Sequence, residues 1–355
     1  MTLNIRALGW NQEVEEQAQS YVNEGYTIGR ISSEYKGMYK VITEAAELIG
    51  EVSGKMKFMA NERQDFPAVG DWVVLSVRLE EGKATIHGIL PRKSKFSRKV
   101  AGVTTEEQIV ATNIDTVFLV QSLNNDFNPR RLERYLLMAW ESGANPVIVL
   151  SKQDLCEDLE EQLREVENVA FGIPIHAVSA MEGTGIDALY DYVKPGQTVA
   201  LLGSSGVGKS SLINKLVGKN VMEVKDVREG DDRGRHTTTH RELIPIPDRG
   251  ILIDTPGMRE LQLWESEESI QHSFEDVISL ADQCKFRDCT HHQEPDCAVK
   301  EAVENGALKQ ERLDSFFKLQ RELEYLERKA DKKAQLQEKE RWKKIAGDRT
   351  RVHRR

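Results

Sequence analysis

The sequence lacks any apolar run long enough to span a bilayer, and its first residues, MTLNIRALGWNQEVEEQ, lack the basic-then-apolar pattern of a secretory signal. We therefore expect a soluble, cytoplasmic protein with no membrane partner. Cysteine is also scarce. Of the four cysteines, Cys284, Cys289 and Cys297 lie in one short segment, and in a cytoplasmic chain this clustering favours a metal site over disulfides.

The chain has no excess of basic residues, because 49 Lys and Arg oppose 58 Asp and Glu for a net charge of −9. This balance argues against a nucleic-acid partner unless the basic residues are clustered. Residues 341–355 form such a cluster, in which Asp348 is the only acid. A basic tail of this kind indicates an anionic partner, and a purely solubilising tail is the alternative.

A length of 355 residues exceeds what one core usually serves, so several domains are expected. Short alternating runs, broken by glycines, occur at 39–42, 48–52, 71–77 and 84–87. This pattern is typical of a small all-β barrel of the OB type. We place the barrel at residues 34–99, after an N-terminal extension of residues 1–33.

The segment that leaves the barrel, residues 91–99, combines Phe96 with five basic residues. Such a composition can pair with phosphates and stack on a base, which favours RNA binding. A solvated linker is the alternative interpretation.

After Lys99 the hydrophobic period changes, and apolar runs alternate with helical patterns. The runs are 116–120, 146–150, 173–178, 198–202 and 251–253. This alternation predicts a parallel α/β sheet. The clearest helix spans 129–142, with Asn128 as its cap and Pro129 at its first position. We place a central α/β domain at residues 100–264 and a helical domain at residues 265–355.

A glycine-rich segment between the run 198–202 and a helical pattern predicts a phosphate-binding loop. It comprises Gly203, Ser204, Ser205, Gly206, Val207, Gly208, Lys209, Ser210 and Ser211. The spacing G-x-x-x-x-G-K-S lets main-chain N–H groups wrap a polyphosphate while Lys209 reaches its β and γ oxygens. The Ser210 hydroxyl is the expected magnesium ligand. A glycine-rich turn without a ligand is the alternative.

Two further segments predict a switch that senses the γ-phosphate. Asp254 follows a buried run, so it is placed to hold Mg2+ through water, and the N–H of Gly257 is placed to meet a γ-phosphate. Upstream, the polar stretch 224–239 predicts a mobile loop with three adjacent threonines. Thr238 is the favoured magnesium ligand, and its neighbours Thr237 and Thr239 are the alternatives.

The choice of base is predicted from two strand ends. The first carries Ser151, Lys152, Gln153 and Asp154, and the second carries Ser179 and Ala180. The Asp154 carboxylate can accept two hydrogen bonds from guanine, whereas adenine lacks that pair of donors. Together the two strand ends predict GTP as the ligand.

The motifs occur in an unusual order, because the guanine motifs precede the phosphate loop. This order corresponds to a circular permutation, which a parallel sheet tolerates. In this order, and in the segments GSSGVGKSSLIN, GRHTTT, DTPGMRE and CKFRDCTHHQEPDC, the sequence resembles the circularly permuted bacterial GTPases of small ribosomal subunit biogenesis, the ribosome small subunit-dependent GTPase A family.

The resemblance covers almost the whole chain and implies an OB-type barrel, a circularly permuted P-loop GTPase and a C-terminal α-helical zinc-binding domain. It also implies GTP hydrolysis late in maturation of the small ribosomal subunit, with binding to 16S-type ribosomal RNA. One residue departs from the family, whose guanine motif is usually N-K-x-D. Ser151 stands in place of the asparagine, which predicts looser nucleotide binding while Asp154 still reads the base.

The cysteine segment predicts one structural zinc ion. Cys284, Cys289, His291 and Cys297 supply three thiolates and one imidazole, the donor set of a closed tetrahedral site. His292 is an alternative to His291, which the family pattern favours. Reduced cysteines in an ordinary helical segment are the other interpretation.

The expected reaction is in-line attack of water on the γ-phosphate, with Lys209 and Mg2+ neutralising charge. Met258 stands where many GTPases place a water-orienting glutamine, so slow intrinsic turnover is expected. His236 is the candidate for orienting the water, and a histidine that faces only solvent is the alternative. We expect a monomer activated by the small subunit. The competing hypothesis is a GTP-holding, RNA-binding scaffold without useful hydrolysis.

Overall fold

The structure is a computed structural model of the full chain. It describes residues 5–35, 37–99, 107–124, 127–170, 172–222, 242–254, 274–286, 289–291, 294–310 and 312–321. The chain divides into two compact units, Met1–Leu263 and Trp264–Arg355. Within the described part, no helix combines the length and the apolar character that a membrane crossing requires.

The first unit begins with a helix, which is followed by the closed five-stranded barrel that the sequence predicts. The helix is α1 (Gln12–Asn23), and the strands are β1 (Thr27–Tyr35), β2 (Met38–Ile42), β3 (Glu47–Val52), β4 (Trp72–Arg78) and β5 (Lys83–Ile89). The barrel closes in the order β1-β2-β3-β5-β4, with β4 pairing back to β1. A short helix, α2 (Gly54–Met59), follows β3. Alternate residues of β3 are buried, so one face of the strand supplies the barrel core.

The first barrel strand begins at Thr27, so the expected boundary at residue 34 falls inside β1. The hydrophobic pattern does not predict this strand, because the residues at its centre are polar. Arg30, Ser32 and Ser33 are all buried in the structure, and a strand with buried polar residues has no alternating apolar pattern to detect.

The segment leaving the barrel is neither a solvated linker nor a base-stacking surface. Strand β6 (Lys95–Lys99) pairs antiparallel with β7 (Glu107–Thr112). Phe96 is only 2% exposed, so its ring is not available to a base, and that part of the prediction is wrong. Arg92 is held by Asp71, with an Nη2···Oδ2 distance of 2.7 Å, and by the carbonyls of Gln64 and Phe66. Arg92 therefore stabilises the folded structure through contacts within the protein.

The second part of this unit is the predicted parallel α/β sheet. Its strands are β8 (Thr116–Ser122), β9 (Asn145–Ser151), β10 (Ile175–Ala177), β11 (Thr198–Leu202), β12 (Glu242–Pro245) and β13 (Ile251–Asp254). The order is β10-β9-β8-β11-β13, all parallel, and β12 adds antiparallel to β13. The helices are α3 (Pro129–Ser142), α4 (Leu159–Glu167), α5 (Ile186–Leu189) and α6 (Lys209–Val217).

The barrel and the α/β sheet share a continuous ladder. Ser33 of β1 pairs with Glu242 of β12, and Glu242 pairs on its other side with Asp254 of β13. The described strands of both parts therefore form a single sheet of 11 strands.

The second unit is helical where it is described. It contains α7 (Glu275–Ala281), α8 (Ala298–Glu304) and a helical stretch at 312–321. The ring of Phe274 meets that of Phe316 at 5.4 Å, and the Arg312 guanidinium lies over Phe274 at 4.2 Å. Leu313 and Leu319 are also buried, so the apolar side chains of this helical stretch pack in the core of this unit. The basic tail at 341–355 lies outside the described residues.

Candidate nucleotide site and metal centre

The phosphate loop joins β11 to α6 at the carboxyl edge of the parallel sheet. Gly206 and Gly208 have φ angles of 75° and 92°, which glycine adopts without strain. A Cβ on Gly203 would lie 2.3 Å from the carbonyl oxygen of Val120, so the loop begins in direct contact with β8. Only glycine fits at that point.

The ammonium group of Lys209 points back into the loop. Its Nζ donates to the carbonyl oxygens of Gly203 at 2.7 Å and Ser204 at 2.6 Å. The charge of this lysine is therefore held at the mouth of the loop, where it can exchange carbonyl oxygens for the more negative oxygens of a phosphate.

The two base-reading segments are joined by hydrogen bonds. Ser179 Oγ donates to Asp154 Oδ1 at 2.5 Å, and the N–H of Gln153 donates to the carbonyl of Val178 at 3.1 Å. Ser179 is buried while Asp154 is exposed. The serine thus fixes one carboxylate oxygen and leaves the carboxylate accessible to a ligand.

Ser151 connects the base-reading segment to the phosphate loop. Its hydroxyl is buried and donates to the carbonyl oxygen of Val207 at 2.5 Å. Lys152, the next residue, has a φ of 59°, a left-handed conformation that turns the chain sharply after β9. Ser151, where the resemblance predicts an asparagine, therefore braces the phosphate loop through its hydroxyl group.

Several predicted residues lie outside the described part of the chain. These are Thr237, Thr238, Thr239, His236 and Gly257. The backbone of Asp254 is described and ends β13, which is the neighbour of β11. Asp254 therefore lies at the same sheet edge as the phosphate loop, and its role toward Mg2+ stays a prediction.

One side chain that the motifs do not predict contacts the phosphate loop. Arg131, in the first turn of α3, donates from Nη1 to Ser204 Oγ at 2.7 Å. A signal for it exists in the sequence, because Pro129 fixes the start of α3 just after β8. Basic residues in that first turn must lie at the carboxyl edge of the sheet, where the phosphate loop also lies.

In the second unit, the four predicted zinc ligands converge. The donor atoms of Cys284, Cys289, His291 and Cys297 all lie within 4.8 Å of one another. Cys284 Sγ lies 3.8 Å from Cys297 Sγ and 3.6 Å from His291 Nδ1, and Cys297 Sγ lies 3.4 Å from His291 Nδ1.

These separations fit a zinc ion. With Zn–S near 2.3 Å and Zn–N near 2.0 Å, a tetrahedral site has S···S edges of about 3.8 Å and S···N edges of about 3.5 Å. Desolvation raises the pKa of the Cys289 thiol to about 11, so a metal ion must displace its proton on binding. The residues present therefore suit a closed zinc site.

Comparison with known proteins places this architecture in a family. A family model described as RsgA GTPase matches residues 89–264. The chain is 49% identical over 325 residues to the small ribosomal subunit biogenesis GTPase RsgA 2 of Lactiplantibacillus plantarum, covering 92% of this chain and 91% of that protein. It is 43% identical to the RsgA protein of Methanosarcina acetivorans, covering 95% and 90%.

Solved structures agree with these relatives. The structure of YjeQ from Thermotoga maritima matches with a TM-score of 0.62 and 30% identity, covering 84% of this chain and 98% of that one. YloQ, described as a circularly permuted GTPase, matches with a TM-score of 0.60 and 26% identity, covering 84% and 95%. The permuted motif order, the barrel and the shared sheet edge thus have one explanation, which is that this chain belongs to the RsgA GTPase family and is a GTP hydrolase.

Proposed function

We propose that this GTPase binds GTP with Mg2+ along the carboxyl edge of its parallel sheet and uses hydrolysis to assist maturation of the small ribosomal subunit. One observation carries the proposal. The phosphate loop after β11 and the Asp154–Ser179 pair after β9 and β10 lie on one edge of the same sheet, joined by the Ser151 hydroxyl. This arrangement separates a polyphosphate end from a base end, as a nucleoside triphosphate requires.

In this proposal each residue of the site has a distinct role. Lys209 leaves the loop carbonyls for phosphate oxygens, and Ser210, Thr238 and Asp254 would hold the metal. Asp154 accepts the guanine N–H groups, and the main chain at Ala180 donates to the guanine carbonyl. When bound, Mg2+ supplies positive charge that offsets the charge developing on the phosphoryl group. Lys209 supplies the protein's share of that neutralisation.

The water-positioning role is assigned to His236, with the main chain of Gly257 near the γ-phosphate. Met258 has no group that can orient water, so the free protein hydrolyses GTP slowly. A partner that positions His236 and Thr238 against the γ-phosphate would accelerate hydrolysis, an effect that reaches about 10³-fold or more in related systems.

The proposed partner is the small ribosomal subunit, because relatives in the same family are named as GTPases of small ribosomal subunit biogenesis. The barrel and the basic tail are the proposed contacts with 16S-type ribosomal RNA, in a cytoplasmic monomer. We divide the chain into an N-terminal extension, a barrel that starts at β1, a GTPase domain and a domain built around one structural zinc ion.

Single-turnover hydrolysis measured with and without isolated ribosomal subunits tests the proposal. We expect small subunits to raise the rate strongly, large subunits to leave it unchanged, and added salt to weaken the rise as phosphate contacts are lost. His236→Ala should lower the stimulated rate far more than the GTP affinity. Equal rates with and without small subunits at low salt would refute activation and favour the scaffold hypothesis.

A further inference from the structure

A cation from outside the G-x-x-x-x-G-K-S motif reaches the phosphate loop. Helix α3 starts beside the carboxyl end of β8, the strand that pairs with β11 and touches Gly203. This placement brings half-buried Arg131 to the loop, where its Nη1 donates to Ser204 Oγ at 2.7 Å.

Ser204 is thereby held through two of its groups. Its hydroxyl accepts from Arg131 and its carbonyl oxygen accepts from Lys209 Nζ at 2.6 Å. Nucleotide binding should affect these two hydrogen bonds differently. A phosphate draws Lys209 away from the carbonyl, whereas nothing in nucleotide binding requires the serine hydroxyl to leave Arg131.

We propose that Arg131 is a positioning residue for the phosphate loop. Arg131 fixes Ser204 while Lys209 moves to the nucleotide, and the guanidinium of Arg131 adds a permanent positive charge beside the polyphosphate. The inference rests on the proposed nucleotide site. An arginine suits this role because its guanidinium stays ionised throughout the working pH range and donates in fixed directions. A hydrogen bond to a charged group is stronger than one between neutral groups, so its loss is expected to weaken affinity about tenfold.

The pattern of kinetic effects follows from the geometry. The Arg131–Ser204 bond exists without nucleotide, so it organises the loop equally for bound GTP and for the transition state. Such uniform binding changes KM and leaves kcat nearly constant. Arg131 therefore acts through the loop, and it differs from Lys209, whose loss should reduce kcat.

The test measures binding of a fluorescent GTP analogue and steady-state hydrolysis in the full-length protein. Arg131→Ala should raise the Kd and KM for GTP about tenfold and change kcat less than about twofold. Arg131→Lys keeps the charge but loses the planar donor geometry, so it should recover only part of the affinity. Arg164→Ala is the matched control, because that arginine is exposed on α4 and pairs with Glu160 within its own helix.

A double-mutant cycle with Ser204→Ala separates a direct bond from a general effect on folding. Ser204→Ala alone should weaken binding about threefold, and adding Arg131→Ala should then cost less than it does in the parent protein. GTP binding by Arg131→Ala within twofold of the parent, or full additivity in the cycle, would overturn the inference. If Arg131→Ala does not fold, Ser204→Ala decides by the same criterion. Failure of the parent protein to bind GTP would instead refute the proposed function.

Discussion

The guanidinium of Arg30 in the barrel donates to the main-chain carbonyl of Asn113, at the entry to the GTPase sheet, with an Nη2···O distance of 3.2 Å. The same group donates to the carbonyls of Gly70, in the turn before β4, and of Leu8, in the N-terminal segment. Arg30 is 1% exposed, and desolvation lowers its pKa to about 10. It therefore remains charged at neutral pH, and three carbonyl groups from three segments of the chain accept its hydrogen bonds.

The first prediction concerns this buried cation. Arg30→Ala leaves the carbonyls of Leu8, Gly70 and Asn113 without this donor, so it should lower the free energy of unfolding by about 3 kcal/mol or more. Urea denaturation followed by tryptophan fluorescence measures the change. Arg78→Ala is the control, since its pair with Glu81 is exposed and should contribute less than about 0.5 kcal/mol. Equal midpoints for the two variants would contradict the assignment.

The second prediction compares two aromatic residues of the first unit. Phe96 is 2% exposed and Phe58 is 91% exposed. Phe96→Ala should therefore cost about 3–5 kcal/mol of stability, whereas Phe58→Ala should cost almost nothing. In an RNA-binding assay below its melting temperature, Phe96→Ala should retain the affinity of the parent. A selective loss of RNA affinity in Phe96→Ala at unchanged stability would restore the stacking interpretation.

The third prediction addresses the base. Asp154→Asn should exchange the preference for GTP for a preference for XTP, because the amide donates where guanine also donates and xanthine has a carbonyl there. The Ser179 hydroxyl can still donate to the amide oxygen, so the loop should keep its shape. Competition binding with GTP and XTP measures the ratio.

Asp158→Asn is the matched control for base selection. Asp158 caps α4 by accepting from the N–H of Glu161 at 2.9 Å, and asparagine caps equally well. This variant should keep the GTP preference of the parent. Unchanged GTP affinity in Asp154→Asn would remove the base-reading assignment.

The fourth prediction concerns the metal. The untagged protein should contain one zinc ion by elemental analysis, and Cys289→Ala should lose it and unfold mainly the second unit, because a structural site contributes folding energy directly. Cys156→Ala should keep the zinc, since that cysteine lies in the first unit, apart from the cluster. Parent protein free of zinc would end the proposal.

The features that the sequence predicts well are those whose residues lie close together in the chain. The phosphate loop and the four recognised barrel strands each depend on local spacing, and the cysteine cluster needs only 14 positions, Cys284 to Cys297. Their geometry follows from chain connectivity, so one sequence is enough to place them.

The features that were missed depend on partners distant in the chain. The start of strand β1 could not be predicted, because its polar residue Arg30 is buried by donating to main-chain carbonyls as distant in the chain as that of Asn113. The basic neighbours of Phe96 predict a surface position for its ring, but one of these neighbours, Arg92, is paired with Asp71. Arg131 and Ser204 are separated by 73 positions. Pro129 places the start of α3 at the sheet edge, but no local pattern specifies which loop residue this arginine contacts.

The row Ser33–Glu242–Asp254 gives the barrel a mechanical connection to the nucleotide edge. Two ladder steps, about 10 Å in total, separate a barrel strand from the backbone of the predicted magnesium residue. Both steps are main-chain pairs, so substitutions of side chains on the barrel surface leave them in place. The backbone therefore sets the position of Asp254 relative to the barrel, and the surface of the barrel is free to diverge without disturbing it.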